Sequence, residues 1–138
     1  MKRGRQQCLG LWLCLGGVLA LAGCGERRAE VSGKATVDGK PLNISAATIL
    51  FAPDKDNLIK KIPYGVPDEN GNYRATTGDK SGVPLGWYKV YIAFDARQSK
   101  GKPPPFHSRY LDPTTSPLSV EVVANPQPGA YDLKFTEK

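Results

Sequence analysis

The sequence predicts an all-β fold: an antiparallel β-sandwich of about seven short strands behind an N-terminal export segment. Three observations carry that expectation. Beyond residue 30 no stretch sustains helical periodicity, whereas short runs of alternating apolar and polar residues recur between turn formers. All 12 prolines lie in that part of the chain, where they punctuate runs too short for helices. Short strands without a helix can bury their apolar faces only by stacking one sheet on another.

The chain starts with Lys2, Arg3 and Arg5, followed by an uncharged apolar run over residues 8–22. This is the n-region and h-region pattern of a signal peptide. The run is shorter than the roughly 20 apolar residues a membrane span needs, and Gly10, Gly16 and Gly17 weaken it further. Leu21-Ala22-Gly23-Cys24 closes the run and resembles the bacterial lipobox, the processing site of bacterial lipoproteins. The resemblance implies cleavage between Gly23 and Cys24, a lipid thioether on Cys24, and acylation (palmitate or similar) of the new terminus. Two lipid signals hold a protein stably, where one gives only marginal binding. The expected organisation is therefore a signal peptide over 1–23, a lipidated cysteine and short tether over 24–29, and a sandwich domain over 30–138. Cys8 and Cys14 fall within the removed segment, so the exported domain can form no internal disulfide. In Gram-negative lipoproteins an Asp after the cysteine tends to retain the protein at the inner membrane. Gly25 stands there instead, which resembles an outer-membrane destination.

Residues 31–37 form the first expected strand, with Val31, Gly33, Ala35 and Val37 inward, and Asp38-Gly39 is a strong hairpin signal. Residues 47–52 follow, with Ile49 and Phe51 inward. Residues 58–62 are a weaker candidate for an edge strand, protected from edge pairing by Lys60 and Lys61. Asp68 to Gly71 turns the chain into a strand over 72–77, with Tyr73, Ala75 and Thr77 on one face. Residues 87–94 give the clearest alternation: Tyr88, Val90, Ile92 and Phe94 inward, Trp87, Lys89, Tyr91 and Ala93 outward. A long loop over 95–117 contains Pro103, Pro104 and Pro105, which favour an extended conformation. Residues 118–123 and a final strand carrying Tyr131, Leu133 and Phe135 inward complete the set. A small motif recurs where turns become strands: Gly71-Asn72-Tyr73, Gly86-Trp87-Tyr88 and Gly129-Ala130-Tyr131. Each tyrosine is expected to bury its ring and hand its hydroxyl to loop backbone.

Val31-x-Gly33-x-Ala35-x-Val37-x-Gly39-x-Pro41-Leu42, then Ala47-x-Ile49-x-Phe51, then Glu69-Asn70-Gly71-x-Tyr73, then Leu85-Gly86-x-Tyr88-x-Val90 resembles the carboxypeptidase regulatory-like domain. The resemblance implies a transthyretin-like (prealbumin-like) β-sandwich. Tyr110-Leu111-Asp112-Pro113-x-x-Ser116-Pro117-Leu118 resembles the C-terminal signature of small bacterial lipoproteins that carry this domain. Residues 54–67 depart from the pattern.

Little in the chain suits catalysis. The transthyretin-like enzyme hydroxyisourate hydrolase implies several histidines and a different C-terminus; here His107 is the sole histidine and the chain ends Phe135-Thr136-Glu137-Lys138. An internal isopeptide bond needs a buried lysine, and Lys34 faces outward by parity. Asp54 and Asp56 lack the further acids of a calcium loop and have Lys55, Lys60 and Lys61 nearby. The formal charge of +6 falls to +3 once Lys2, Arg3 and Arg5 are removed, and the remaining charges are interspersed. Nucleic acid is therefore not an expected partner, and no metal or cofactor is expected. The reading that follows is a non-catalytic envelope lipoprotein, held to the membrane by lipid on Cys24, whose domain has a structural or protein-interaction role and contacts envelope proteins or wall polysaccharide. The alternative is a carbohydrate-binding module in which Trp87, Lys89 and Tyr91 form an outward aromatic face for stacking on sugar rings. Against it stands the expectation that the 95–117 loop, with Phe106 and Tyr110, covers that face.

Overall fold

The strand with the clearest alternation organises the structure. The computed structural model describes residues 25–138; the expected signal segment and Cys24 lie outside them. In chain order the strands are β1 (Arg28–Ala29), β2 (Ser32–Val37), β3 (Lys40–Pro41), β4 (Ala47–Pro53), β5 (Tyr64–Gly65), β6 (Asn72–Arg74), β7 (Thr76–Thr77), β8 (Lys80–Ser81), β9 (Val83–Pro84), β10 (Gly86–Phe94), β11 (Ser119–Val122) and β12 (Leu133–Phe135). The one helical element among the described residues is a 3-10 turn, Ser108–Leu111.

β10 pairs with β4 along almost its whole length, from Tyr88 opposite Pro53 to Phe94 opposite Ala47, and with β11 on its other edge. These belong to a six-stranded sheet in the order β11-β10-β4-β5-β7-β8. A second sheet runs β12-β2-β3, with β6 also on β2, and β1 pairs with β9. The sheets pack around one core, consistent with a β-sandwich. Phe51 of the first sheet meets Tyr73 of the second at 6.2 Å between ring centroids, and Tyr88 edge-on at 6.3 Å. The inward sets expected for β4 and β10 are buried, except that Phe94 is half-buried and rests edge-on against Phe106. Burying each such side chain contributes roughly 1.5–3 kcal/mol.

Asp38 and Gly39 form the expected hairpin. Both have positive φ (47° and 82°), and Val37 faces Lys40 across the two-residue loop. That combination matches the strands' right-handed twist. The three glycines of the recurring motif also have positive φ, and their tyrosines do as expected. Tyr73 Oη donates to Tyr131 O at 2.5 Å, Tyr88 Oη donates to Pro84 O at 2.7 Å, and Tyr131 Oη accepts from Val123 N at 3.2 Å. Gly33 serves a different purpose: a Cβ there would stand 2.4 Å from Tyr131 O, so only glycine lets β2 approach that backbone.

Three expectations are corrected. Residues 58–62 form no strand; the edge pairing to β4 is made by Tyr64–Gly65 instead. Pro63 is buried and its carbonyl accepts from Phe51 N at 3.0 Å, so the chain joins the sheet only after the lysines. The single strand expected over 72–77 is divided between the two sheets. β6 pairs with β2, β7 pairs with β5 and β8, and buried Ala75 marks the crossing. Tyr73, Ala75 and Thr77 keep their common inward face through it. Finally, the sheets are not wholly antiparallel: β12 runs parallel to β2, with Leu133 opposite Ala35 and Phe135 opposite Val37.

Candidate functional site

The outward face of the six-stranded sheet is built by strand parity. Trp87, Lys89 and Tyr91 alternate with the buried Tyr88, Val90 and Ile92, so all three share the outer side; each is half-buried. Cross-strand register extends this face. Tyr91 stands opposite Leu50, Leu50 opposite Tyr64, and Tyr64 opposite Thr76. Directly opposed residues point to the same side of a sheet, so Tyr91, Leu50 and Tyr64 form a row across three strands. Tyr64 is the most open of them, at 41 % exposure. Leu50 was legible from β4 parity; Tyr64 was not, because its strand had been expected over 58–62.

The 95–117 loop does not cover this face with its aromatics. Phe106 and Tyr110 turn into the core on the other side of the sheet, where both meet Phe135, Tyr110 edge-on at 5.0 Å. Trp87 is screened instead by the segment after β4. Lys55 Nζ lies 3.5 Å from the centre of an indole ring, a cation–π contact. Asp54 N and Asn57 Nδ2 both donate to the Trp87 carbonyl, at 3.0 and 2.9 Å.

His107 and the residues of the Tyr110–Leu118 signature are held by local hydrogen bonds. His107 is exposed; its Nδ1 accepts from Arg109 N at 3.0 Å and caps the 3-10 turn. Arg109 Nη2 donates to Tyr110 Oη and Thr136 Oγ1, both at 3.0 Å. Burial works to raise the Tyr110 phenol, but the Thr136 and Arg109 hydrogen bonds and the guanidinium charge outweigh it and leave it below its ordinary value. Asp112 is held below the usual carboxylate range by hydrogen bonds from the Thr114 hydroxyl and N–H. Ser116 is buried; it donates to Val90 O at 2.5 Å and accepts from Leu118 N at 3.3 Å. The Tyr110–Leu118 signature thus fastens the long loop to β10 and β12.

Lys34 is exposed, and its N–H donates to Asp132 Oδ1 at 2.9 Å. It lines a cleft of about 540 Å³ with Asp68, Tyr73, Arg74 and Asp132. The Tyr73 phenol beside it is raised by burial first, then by the Asp132 charge and by Tyr131. Asp54 Oδ1 accepts from Lys55 N, closing its own turn. Among the described residues no group of three or more His, Cys, Asp or Glu is placed to hold a metal ion, and no helix is long and apolar enough to cross a membrane. Comparison with models of known protein families, with curated proteins and with solved structures finds no match.

Proposed function

We propose that the chain is a non-catalytic, lipid-anchored envelope lipoprotein whose domain serves protein contact at the membrane surface. The observation that carries this reading is the join between the lipobox and the first paired strand. Leu21-Ala22-Gly23-Cys24 is followed almost at once by folded chain: Arg27 O already accepts from Leu85 N at 3.0 Å, and Arg28 pairs with Pro84. At roughly 3.3–3.6 Å per residue, the tether from Cys24 to Arg27 spans at most about 10 Å. A domain on such a tether works beside the bilayer and not at a distance from it. The anchoring membrane is the outer one where the envelope is Gram-negative. The resemblance to carboxypeptidase regulatory-like domains belongs to the same proposal. The glycine–tyrosine turns and the face-to-face sheets support a transthyretin-like arrangement.

The anchor is tested in a bacterial host by radiolabelled palmitate and membrane fractionation. The wild-type chain should take up label, lose residues 1–23 and sediment with membranes; Cys24→Ala should remain a full-length, unlabelled precursor. Equal processing and membrane retention in both would remove the lipobox reading. The carbohydrate-binding reading keeps one favourable observation, the row of Tyr91, Leu50 and Tyr64 continuing the Trp87–Lys89 face. Lys55 over the indole counts against it, because stacking a sugar there requires displacing the ammonium. A polysaccharide pull-down that captures the domain and fails with Trp87→Ala and Tyr91→Ala would bring it forward.

A further inference from the structure

We propose that the 55–62 loop docks onto the bilayer that holds Cys24, with Leu58 entering the interface and Lys60 and Lys61 on anionic headgroups. The proposal rests on reading Cys24 as the lipid anchor. Leu58 is 88 % exposed and Ile62 43 % exposed, flanking two exposed lysines. Scattered exposed apolar residues mean little by themselves; what distinguishes these is their place. Two clefts, of about 460 and 290 Å³, are formed jointly by this loop and the first described residues, Glu26 to Arg28. The loop and the end of the lipid tether therefore share one side of the domain. A tether of about 10 Å brings that side to the headgroup layer.

The chemistry of the patch suits that surface. Arg28 is paired with Glu26 at 2.6 Å, so Arg27, Lys60 and Lys61 face Asp56 with an excess of positive charge. Basic residues close to an anionic leaflet gain roughly 1 kcal/mol each, about fivefold in binding per lysine. An apolar side chain beside basic ones is the composition of interfacial anchors. The loop is also held in place to present them. Asn57 bonds to the Trp87 carbonyl and to Ile59 N, and half-buried Ile59 packs against the core.

The test uses the mature chain from Cys24, coupled through its thiol to a maleimide lipid in vesicles, so that it does not depend on whether cells acylate the cysteine. In a Trp87→Phe background, tryptophan is introduced by Leu58→Trp, or by Val66→Trp as a control that is also exposed (54 %) but lies in a different cleft, and is read by brominated-lipid quenching. In vesicles of phosphatidylcholine and phosphatidylglycerol in equal parts, quenching should be markedly stronger for Leu58→Trp. It should weaken several-fold on adding Lys60→Gln and Lys61→Gln, or in phosphatidylcholine alone. Equal quenching at both positions overturns the docking. Quenching indifferent to the lysines and to lipid charge overturns the headgroup role. Protection at position 58 that grows with protein density and without lipid quenching would assign the patch to a second copy of the chain, and would also overturn it. Failure of palmitate labelling in cells, with quenching intact, would instead count against the anchor reading alone.

Discussion

Two segments without strands, 54–63 and 95–117, carry exposed lysines, prolines and large apolar side chains, yet they use them in opposite ways. The longer one turns Phe106 and Tyr110 into the core and buries Ser116 against β10. The shorter one leaves Leu58 and Ile62 outside the core and contributes only buried Pro63 and half-buried Ile59 inward. The difference lies in what the sheets leave open. Phe94, Phe135 and Thr136 leave a space at one end of the core that two aromatic rings and a guanidinium fill. The 54–63 segment crosses the far end, where its own Lys55 lies over the outward Trp87, its backbone bonds to the Trp87 carbonyl, and Pro63 and Ile59 are the side chains it turns inward. A long loop is thus part of the fold when its side chains complete a cavity, and part of the surface when the core is already closed.

That contrast can be broken most directly by truncation. Phe106→Ala should cost about 3–5 kcal/mol of unfolding free energy in a urea titration, because it opens a cavity among the three rings of Phe94, Tyr110 and Phe135. A loss below about 1 kcal/mol would mean that the long loop is dispensable to the core. Ser116→Ala comes next, at about 1–3 kcal/mol by the same titration, because the Val90 carbonyl loses its buried donor. No measurable change there would remove the hydroxyl from the account of how the loop is fastened.

Alkaline pH sharpens the comparison between the cores and the surface loops. Burial pushes the Tyr73 phenol up, with help from Asp132, and burial also raises Tyr88 against the lowering effects of Asn57 and Arg28. The folded state then holds these protons more tightly than the unfolded chain, whose tyrosines titrate near 10. Their contribution is fully present below about pH 10 and is lost as pH rises above it. Stability followed by urea titration should fall between neutral pH and pH 11, and Tyr73→Phe should flatten that fall while lowering stability at neutral pH by about 1 kcal/mol through the lost hydrogen bond to Tyr131 O. A slope unchanged by the substitution would show that Tyr73 ionises no differently in the two states. The smallest effect is expected at Leu58→Ser: within about 0.5 kcal/mol in stability, since the side chain touches little. A loss above 1 kcal/mol would show that the 54–63 segment packs after all.

Much of the fold was legible because strand parity is local. In β2 and β10 the alternation identified every buried residue, in β4 it identified Ile49 and Phe51 but not Ala47, and in β12 Leu133 and Phe135 were identified the same way. The Asp38-Gly39 hairpin followed from turn chemistry, as did the glycine-before-tyrosine turns, although the Tyr73 hydroxyl finds its carbonyl on the distant Tyr131 and only Tyr88 bonds to backbone near it in sequence, at Pro84. The strand at 58–62 was misplaced because a short apolar run with Lys60 and Lys61 resembles a protected edge strand, while the pairing is decided by where buried Pro63 can present its carbonyl to Phe51. The outer aromatic face was legible in part. Trp87, Lys89 and Tyr91 share it as parity requires, but their neighbours Leu50 and Tyr64 and the Lys55 cover depend on register between strands far apart in sequence.

The sequence by itself determined the strands that carry the core, the tight turns between them and the pattern at Cys24, because each depends on residues within a few positions of one another. The tertiary structure alone decided that 72–77 divides between two sheets, that β12 lies parallel to β2, and that Phe106 and Tyr110 complete the core while Leu58 stays outside it. Those outcomes turn on which surfaces remain unfilled once the sheets have met. That is a property of packing between distant segments, and no local pattern of residue types encodes it.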